Sequence, residues 1–256
     1  MPVQLDRAEI KSEARSLIRT GSVRPIRMTL LLLAISLALS LVNSGVSCMV
    51  GETFRIAAIP FSFVSILVSL ISLVLNTGYT CYCLGIHRRE QMPYTSLFDA
   101  FSFAGKVILL SIVEGVFIFL WSMLFVIPGI IAAYRYSFAM MNLCCDPDLG
   151  VMEALNLSKR QTIGYKWQLF VLQLSFIGWY LLAGAVAALY ELLIVALLPD
   201  SLPGIMLGTA IFALLSSVVD VYLTPYTELA TCGFYLRATA PQESEPPHAD
   251  PWDSRN

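Results

Sequence analysis

The fold turns on residues 128–179, PGIIAAYRYSFAMMNLCCDPDLGVMEALNLSKRQTIGYKWQLFVLQLSFIGW. A Pro-Gly pair interrupts apolar sequence, a charged amphipathic stretch follows, and another apolar run starts at Trp167. Proline removes a backbone donor and clashes with the preceding turn. Glycine tolerates backbone turns that other residues resist. The spacing therefore predicts a corner at Pro128-Gly129. An unbroken helix over 106–145 would be about 60 Å long, twice the hydrocarbon thickness.

Composition sets the class. Of 256 residues, 57% are hydrophobic and 13% charged, with mean hydropathy +0.72. Soluble domains carry roughly twice that charged fraction. Net charge is -2, so no basic field points to nucleic acid. The expected class is an all-α polytopic membrane bundle of about six transmembrane helices plus interfacial amphipathic helices. Spans are predicted near 26–49, 59–86, 106–127, 130–145, 167–198 and 205–236 as one transmembrane domain over 26–236. A basic amphipathic helix within 1–25 precedes it and a disordered tail, 237–256, follows.

The placement of the cations decides the crossing number. With six spans, fourteen of the sixteen Lys and Arg lie on one side, from Arg7, Lys11, Arg15 and Arg19 to Lys159, Arg160, Lys166 and Arg237. Only Arg55 faces outward, and Arg135 falls within a span. Five spans would put Lys159, Arg160 and Lys166 outside. The positive-inside rule favours six, with both termini cytoplasmic in the cell membrane. No cleavable signal peptide is recognisable ahead of the first run.

Residues 4–19 carry Ile10, Ala14, Leu17 and Ile18 on one helical face. Two readings stand: a helix lying on an anionic bilayer, or a solvated helix whose charges only enforce topology. Residues 90–105, with Phe98, Phe101 and Phe103, suit the aromatic-rich interface. Residues 146–166 predict an amphipathic helix beginning near Gly150, capped by Asp148, with a stripe of Val151, Leu155 and Ile163.

Ionisable groups inside hydrocarbon are expensive and face partners or cavities. The candidates are Glu114, Arg135, Glu191 and Asp220, with Glu228 close to the inner surface. Helical rise puts Arg135 and Glu191 each about 10 Å from the outer turns, and Glu114 and Asp220 each about 20 Å. An Arg135–Glu191 pair and a proton-sharing Glu114–Asp220 pair are the corresponding hypotheses; the plainer reading of all four is structural. Gly204 and Gly208 form a G-x-x-x-G that permits close helix approach.

Six cysteines, none in a C-x-x-C pair, read as small buried packing residues. With only His87 and His248 present, no metal site is expected. No phosphate-binding loop, H-E-x-x-H or G-x-S-x-G occurs. No catalytic residue and no cofactor is predicted. The expected partners are the bilayer and other membrane proteins.

The chain also resembles a family of bacterial integral membrane proteins of unknown function. Pro128-Gly129-Ile130, Tyr136-Ser137, Asp146-Pro147-Asp148-Leu149, Ser158-Lys159, Lys166-Trp167, Leu174 to Trp179, Thr224-Pro225-Tyr226 and Phe234-Tyr235 carry the resemblance. In layout it is similar to the membrane domains attached to some glycerophosphodiester phosphodiesterases. The resemblance implies a polytopic helical protein and no agreed activity or cofactor. The reading is thus a non-enzymatic structural, scaffolding or regulatory component. A small transporter or channel component using the intramembrane charges, and a lipid-modifying enzyme, are the alternatives.

Overall fold

The computed structural model describes residues 5–20, 25–50, 58–197 and 202–240. Among them there are helices and no strand. Three stretches are long and apolar enough to cross a membrane: Pro25–Gly45, Phe63–His87 and Tyr94–Leu124. These match the first three predicted runs.

Helix α1 (Arg7–Thr20) starts where the Asp6 carboxylate accepts the Ala8 N–H at 2.9 Å, satisfying one orphan donor of the first turn. Its apolar face does not lie on a bilayer or in water. Ile10, Ala14 and Ile18 are buried in the protein core. They pack with Met28 and Leu32 of α2 (Pro25–Val50), Tyr79 and Tyr82 of α3 (Ala58–His87), and Leu229 and Phe234 of α10 (Leu202–Thr239). The four-residue spacing gave the right face, but not what that face would cover.

A 3-10 segment (Tyr94–Phe103) follows α3, burying Leu97 and Ala100 while Phe98 and Phe101 stay exposed. Gly78 makes this contact possible, because a Cβ there would strike the Leu97 carbonyl. Helix α4 (Ala104–Leu124) then runs to a sharp corner. The corner is Phe125, not Pro128-Gly129. Phe125 is extended (φ -161, ψ 153), and its carbonyl accepts the Gly129 N–H at 3.3 Å to open α5 (Val126–Tyr136). Pro128 falls in the first turn of α5, where the missing N–H has no intrahelical acceptor to lose. Gly129 serves packing: a Cβ would collide with Ser122 on α4.

The predicted span 130–145 is broken as well. Helix α5 stops at Tyr136, and α6 (Ala139–Cys145) continues after Ser137-Phe138. Helix α7 (Val151–Gln161) has Gly150 at its N-cap with no side-chain cap; Asp146 instead accepts the Asp148 N–H at 3.1 Å in a local turn. Leu155 is buried as expected, but Ile163 lies beyond the helix end and is 69% exposed. The run 167–198 divides at Ser175-Phe176 into α8 (Lys166–Leu174) and α9 (Ile177–Leu197). Helix α10 continues through Pro225. Cys81 and Cys144 form a disulfide between α3 and α6, correcting the reading of every cysteine as packing; Cys83 and Cys232 are buried free thiols.

At 1.5 Å per residue, α3 and α10 are about 45 and 57 Å long, well beyond the ~30 Å core. Among the described residues, the buried side chains of both fall in their late turns. The result is a packed base from which apolar helices project. Its first clasp is ionic: Arg237 of α10 bonds Glu9 at 3.0 Å and Glu13 at 2.9 Å on α1, while His87 Nε2 meets the Leu229 carbonyl at 2.8 Å.

If Gly129 is a packing residue, Gly129→Leu should lower stability by about 1–3 kcal/mol through overpacking against Ser122. Pro128→Ala should stay within about 1 kcal/mol. Thermal melts of the detergent-purified variants measure both.

Candidate functional site

A cavity of about 590 Å³ with polar lining lies in the base. Thr80 of α3, Tyr134 of α5, Gln173 of α8, and Thr227, Glu228 and Thr231 of α10 line it, with Phe170, Phe176 and Met140 as apolar wall. The break between α8 and α9 turns Phe176 and Ile177 into this space. Tyr134 donates to Gln173 Oε1 at 2.8 Å and sets its ring edge-on to Phe170.

The chemistry of the cavity is acceptor-rich. Thr80 donates to the Asn76 carbonyl at 3.2 Å, Thr227 to Leu223 at 3.0 Å and Thr231 to Thr227 at 2.8 Å. Each hydroxyl has used its one hydrogen on its own helix, leaving only lone pairs. Glu228 stands among them and makes no hydrogen bond or ion pair with the described residues. A carboxylate in a low-dielectric hollow with no counter-ion attracts a cation or a hydrogen-bond donor. No cluster of three metal-ligating side chains occurs among the described residues.

Beneath the cavity a second polar group is fully engaged. Ser158 on α7 donates to the Arg135 carbonyl at 3.0 Å and accepts the Phe138 N–H at 3.2 Å. It thereby satisfies the backbone groups released where α5 ends and α6 begins. Asn142 donates to Gln161 Oε1 at 2.9 Å and accepts Tyr235 Oη at 2.9 Å. This network locks α6, α7 and α10 together.

The three predicted charges whose side chains are described, Glu114, Arg135 and Asp220, lie on separate helices. Glu114 is half-buried on α4 and Asp220 half-buried on α10; neither lines the cavity or makes an ion pair among the described residues. Arg135 is half-buried on α5, and its backbone carbonyl, not its guanidinium, makes the contacts seen. The side chain of Glu191 lies outside the described residues, as do the surroundings of Gly204 and Gly208, so the proposed Arg135–Glu191 pairing and the G-x-x-x-G contact are not placed. Glu228, a candidate expected close to the inner surface, lines the cavity. The signal for it was the Thr227-Glu228 and Thr231 grouping one turn apart on α10. Ser158, Asn142 and Tyr235 gave no such signal, because their partners come from distant segments.

Residues 123–242 match the family described as Protein of unknown function (DUF975). The match starts just before the Phe125 corner and takes in every cavity residue named above except Thr80. No curated protein and no solved structure matches the chain. The expected likeness in layout to glycerophosphodiester phosphodiesterase membrane domains finds no support in these comparisons. The chain is therefore an all-helical, membrane-associated protein, similar over that stretch to a family without assigned activity.

A carboxylate turned into the interior without a hydrogen-bond or ion-pair partner among the described residues is a cost to the fold. Glu228→Gln should raise the stability of the ligand-free protein by roughly 1 kcal/mol, seen as a higher melting temperature in detergent. A drop of several degrees would mean that the carboxylate holds a partner.

Proposed function

We propose that this protein is a non-enzymatic structural, scaffolding or regulatory component of the cell membrane, with both termini in the cytoplasm. The single observation that supports it is the division of the molecule into two unlike parts. The inner base is closed by ion pairs, a disulfide and a buried aromatic core. The α4–α5 tip is bare: Met123, Phe125, Val126 and Ile127 are 71–73% exposed. Such a layout suits a rigid cytoplasmic platform held in lipid by its apolar helices. A small transporter or channel component is the second reading, and the Glu228 cavity favours it. The third reading, a lipid-modifying enzyme, is supported by no observation made above.

The finer topology has two versions. In one, α2, α3, α4, α5–α6, α9 and α10 give six crossings. In the other, α4 and α5 form a re-entrant hairpin that enters from the cytoplasm and returns without crossing, leaving four crossings. We favour the second. Ser158 of α7 bonds the Arg135 carbonyl, and Lys159 beside it lies 5.9 Å from the Phe117 ring and 5.6 Å from Tyr136. Helix α7 also exposes Glu153, Asn156 and Arg160, which hydrocarbon would penalise. The level of Arg135 is then at the membrane surface, and Phe125 reaches only about 15 Å beyond it. Both versions keep the same basic residues inside, as the positive-inside rule asks.

Two experiments test this topology and role. A single reporter cysteine at Phe125, in an otherwise reporter-silent background, should resist a membrane-impermeant maleimide applied outside cells; labelling there would restore six crossings. In sealed proteoliposomes, proton and sodium leak should equal that of empty vesicles. A leak abolished by Glu228→Gln would replace the scaffold reading with transport.

A further inference from the structure

A second cavity, of about 550 Å³, shares Phe176 with the first and is lined also by Tyr226. One wall is α1, which contributes Lys11 and Arg15; the others are the α8–α9 corner, with Trp179, and α10, with Val219, Tyr222 and Leu223. Both cations sit over aromatic faces: Lys11 Nζ is 5.1 Å from the Phe176 centroid and Arg15 Cζ 5.6 Å from that of Tyr226. Rings hold a cation at one face and leave its remaining donors free.

Neither Lys11 nor Arg15 makes a hydrogen bond or ion pair among the described residues. The acids of α1 are engaged elsewhere. Glu9 and Glu13 bind Arg237, and Asp6 caps the helix. Asp220 is adjacent to Val219 in sequence but does not line the cavity. The site therefore holds two positive charges and no negative one. Burial, together with nearby Arg15 and Arg7, pulls the Lys11 ammonium below its usual value. An anion is the group that would relieve this desolvation and repulsion.

The cavity has a polar end and an apolar end. Trp179 and Tyr222 are 55% and 53% exposed, the aromatic pair expected at a headgroup boundary. Helix α9 begins two residues before Trp179 and is about 31 Å long, one span. The mouth thus lies at the membrane–water interface, with cations toward water and Val219, Tyr222 and Leu223 toward hydrocarbon. A soluble anion would use only the first half of this surface.

We propose that this cavity is a binding site for one anionic phospholipid, its phosphate held between Lys11 and Arg15 and an acyl chain laid along Trp179, Val219 and Tyr222. The inference rests on α1 lying at a membrane interface and is independent of the crossing number. It gives the basic face of α1 a specific ligand in place of diffuse attraction to a charged surface.

The test uses the full-length protein, delipidated in detergent, with native mass spectrometry and thermal melts. Phosphatidylglycerol should be retained at one molecule per chain and raise the melting temperature; phosphatidylcholine and inorganic phosphate should do neither. In the Lys11→Gln/Arg15→Gln double variant, phosphatidylglycerol affinity should fall roughly tenfold or more. Equal retention of the two lipids overturns the proposal, as does an unchanged affinity in the double variant. A melt raised as far by phosphate alone would make this a soluble-anion site and also overturn it. The comparison of lipids needs only the unmutated chain, so it decides the matter even if the double variant fails to fold.

Discussion

The closure of α1 onto the late turns of α10 is the contact on which the rest of the structure depends. In a bilayer, apolar side chains gain little by leaving lipid for one another, since hydrocarbon is already apolar. The driving force for burial is available only where helices extend into water. Helices α3 and α10 are each longer than one span, and α1 packs on their late turns. Ile10, Ala14 and Ile18 supply the apolar contact, and Arg237 between Glu9 and Glu13 fixes the register. The pair is partly exposed, so its worth is modest, about 1 kcal/mol or less for each bridge. Its value lies in specifying which way the helix docks.

From that closure the two cavities follow. Helix α1 covers one flank of α10 and brings Lys11 and Arg15 over Phe176 and Tyr226. Phe176 also lines the other cavity, together with residues of α3, α5 and α6 and Glu228. The break at Ser175-Phe176 serves both, because an unbroken helix from Lys166 to Leu197 could not turn Phe176 between them. Two hollows, one cationic and one acceptor-rich, thus share the Phe176 ring.

Much of the helix inventory was legible in the sequence. Continuous apolar runs identify α2 and α3 within a few residues, since length and hydropathy alone decide them. The breaks were harder. Proline and glycine announced a corner, yet the corner fell on Phe125, because extended backbone suits any residue while proline suits a first helical turn. The junctions at Ser137-Phe138 and Ser175-Phe176 have no local proline or glycine breaker, and the first depends on Ser158, distant in the chain. The candidate charges were found by hydropathy, which reports that a polar atom is misplaced but not what faces it. The surroundings of Glu228 become visible only in the folded chain, where α3, α5 and α8 close around it.

The account's central claim is that α1 is an integral part of the folded base. Hydrogen–deuterium exchange on the protein in nanodiscs measures this directly. Amides of Ile10 to Ile18 should exchange as slowly as those of Leu229 to Arg237, and should open together with them when Arg237 is replaced by Gln. Exchange of α1 within seconds while α10 stays protected would show a helix resting on the surface, and would contradict the account.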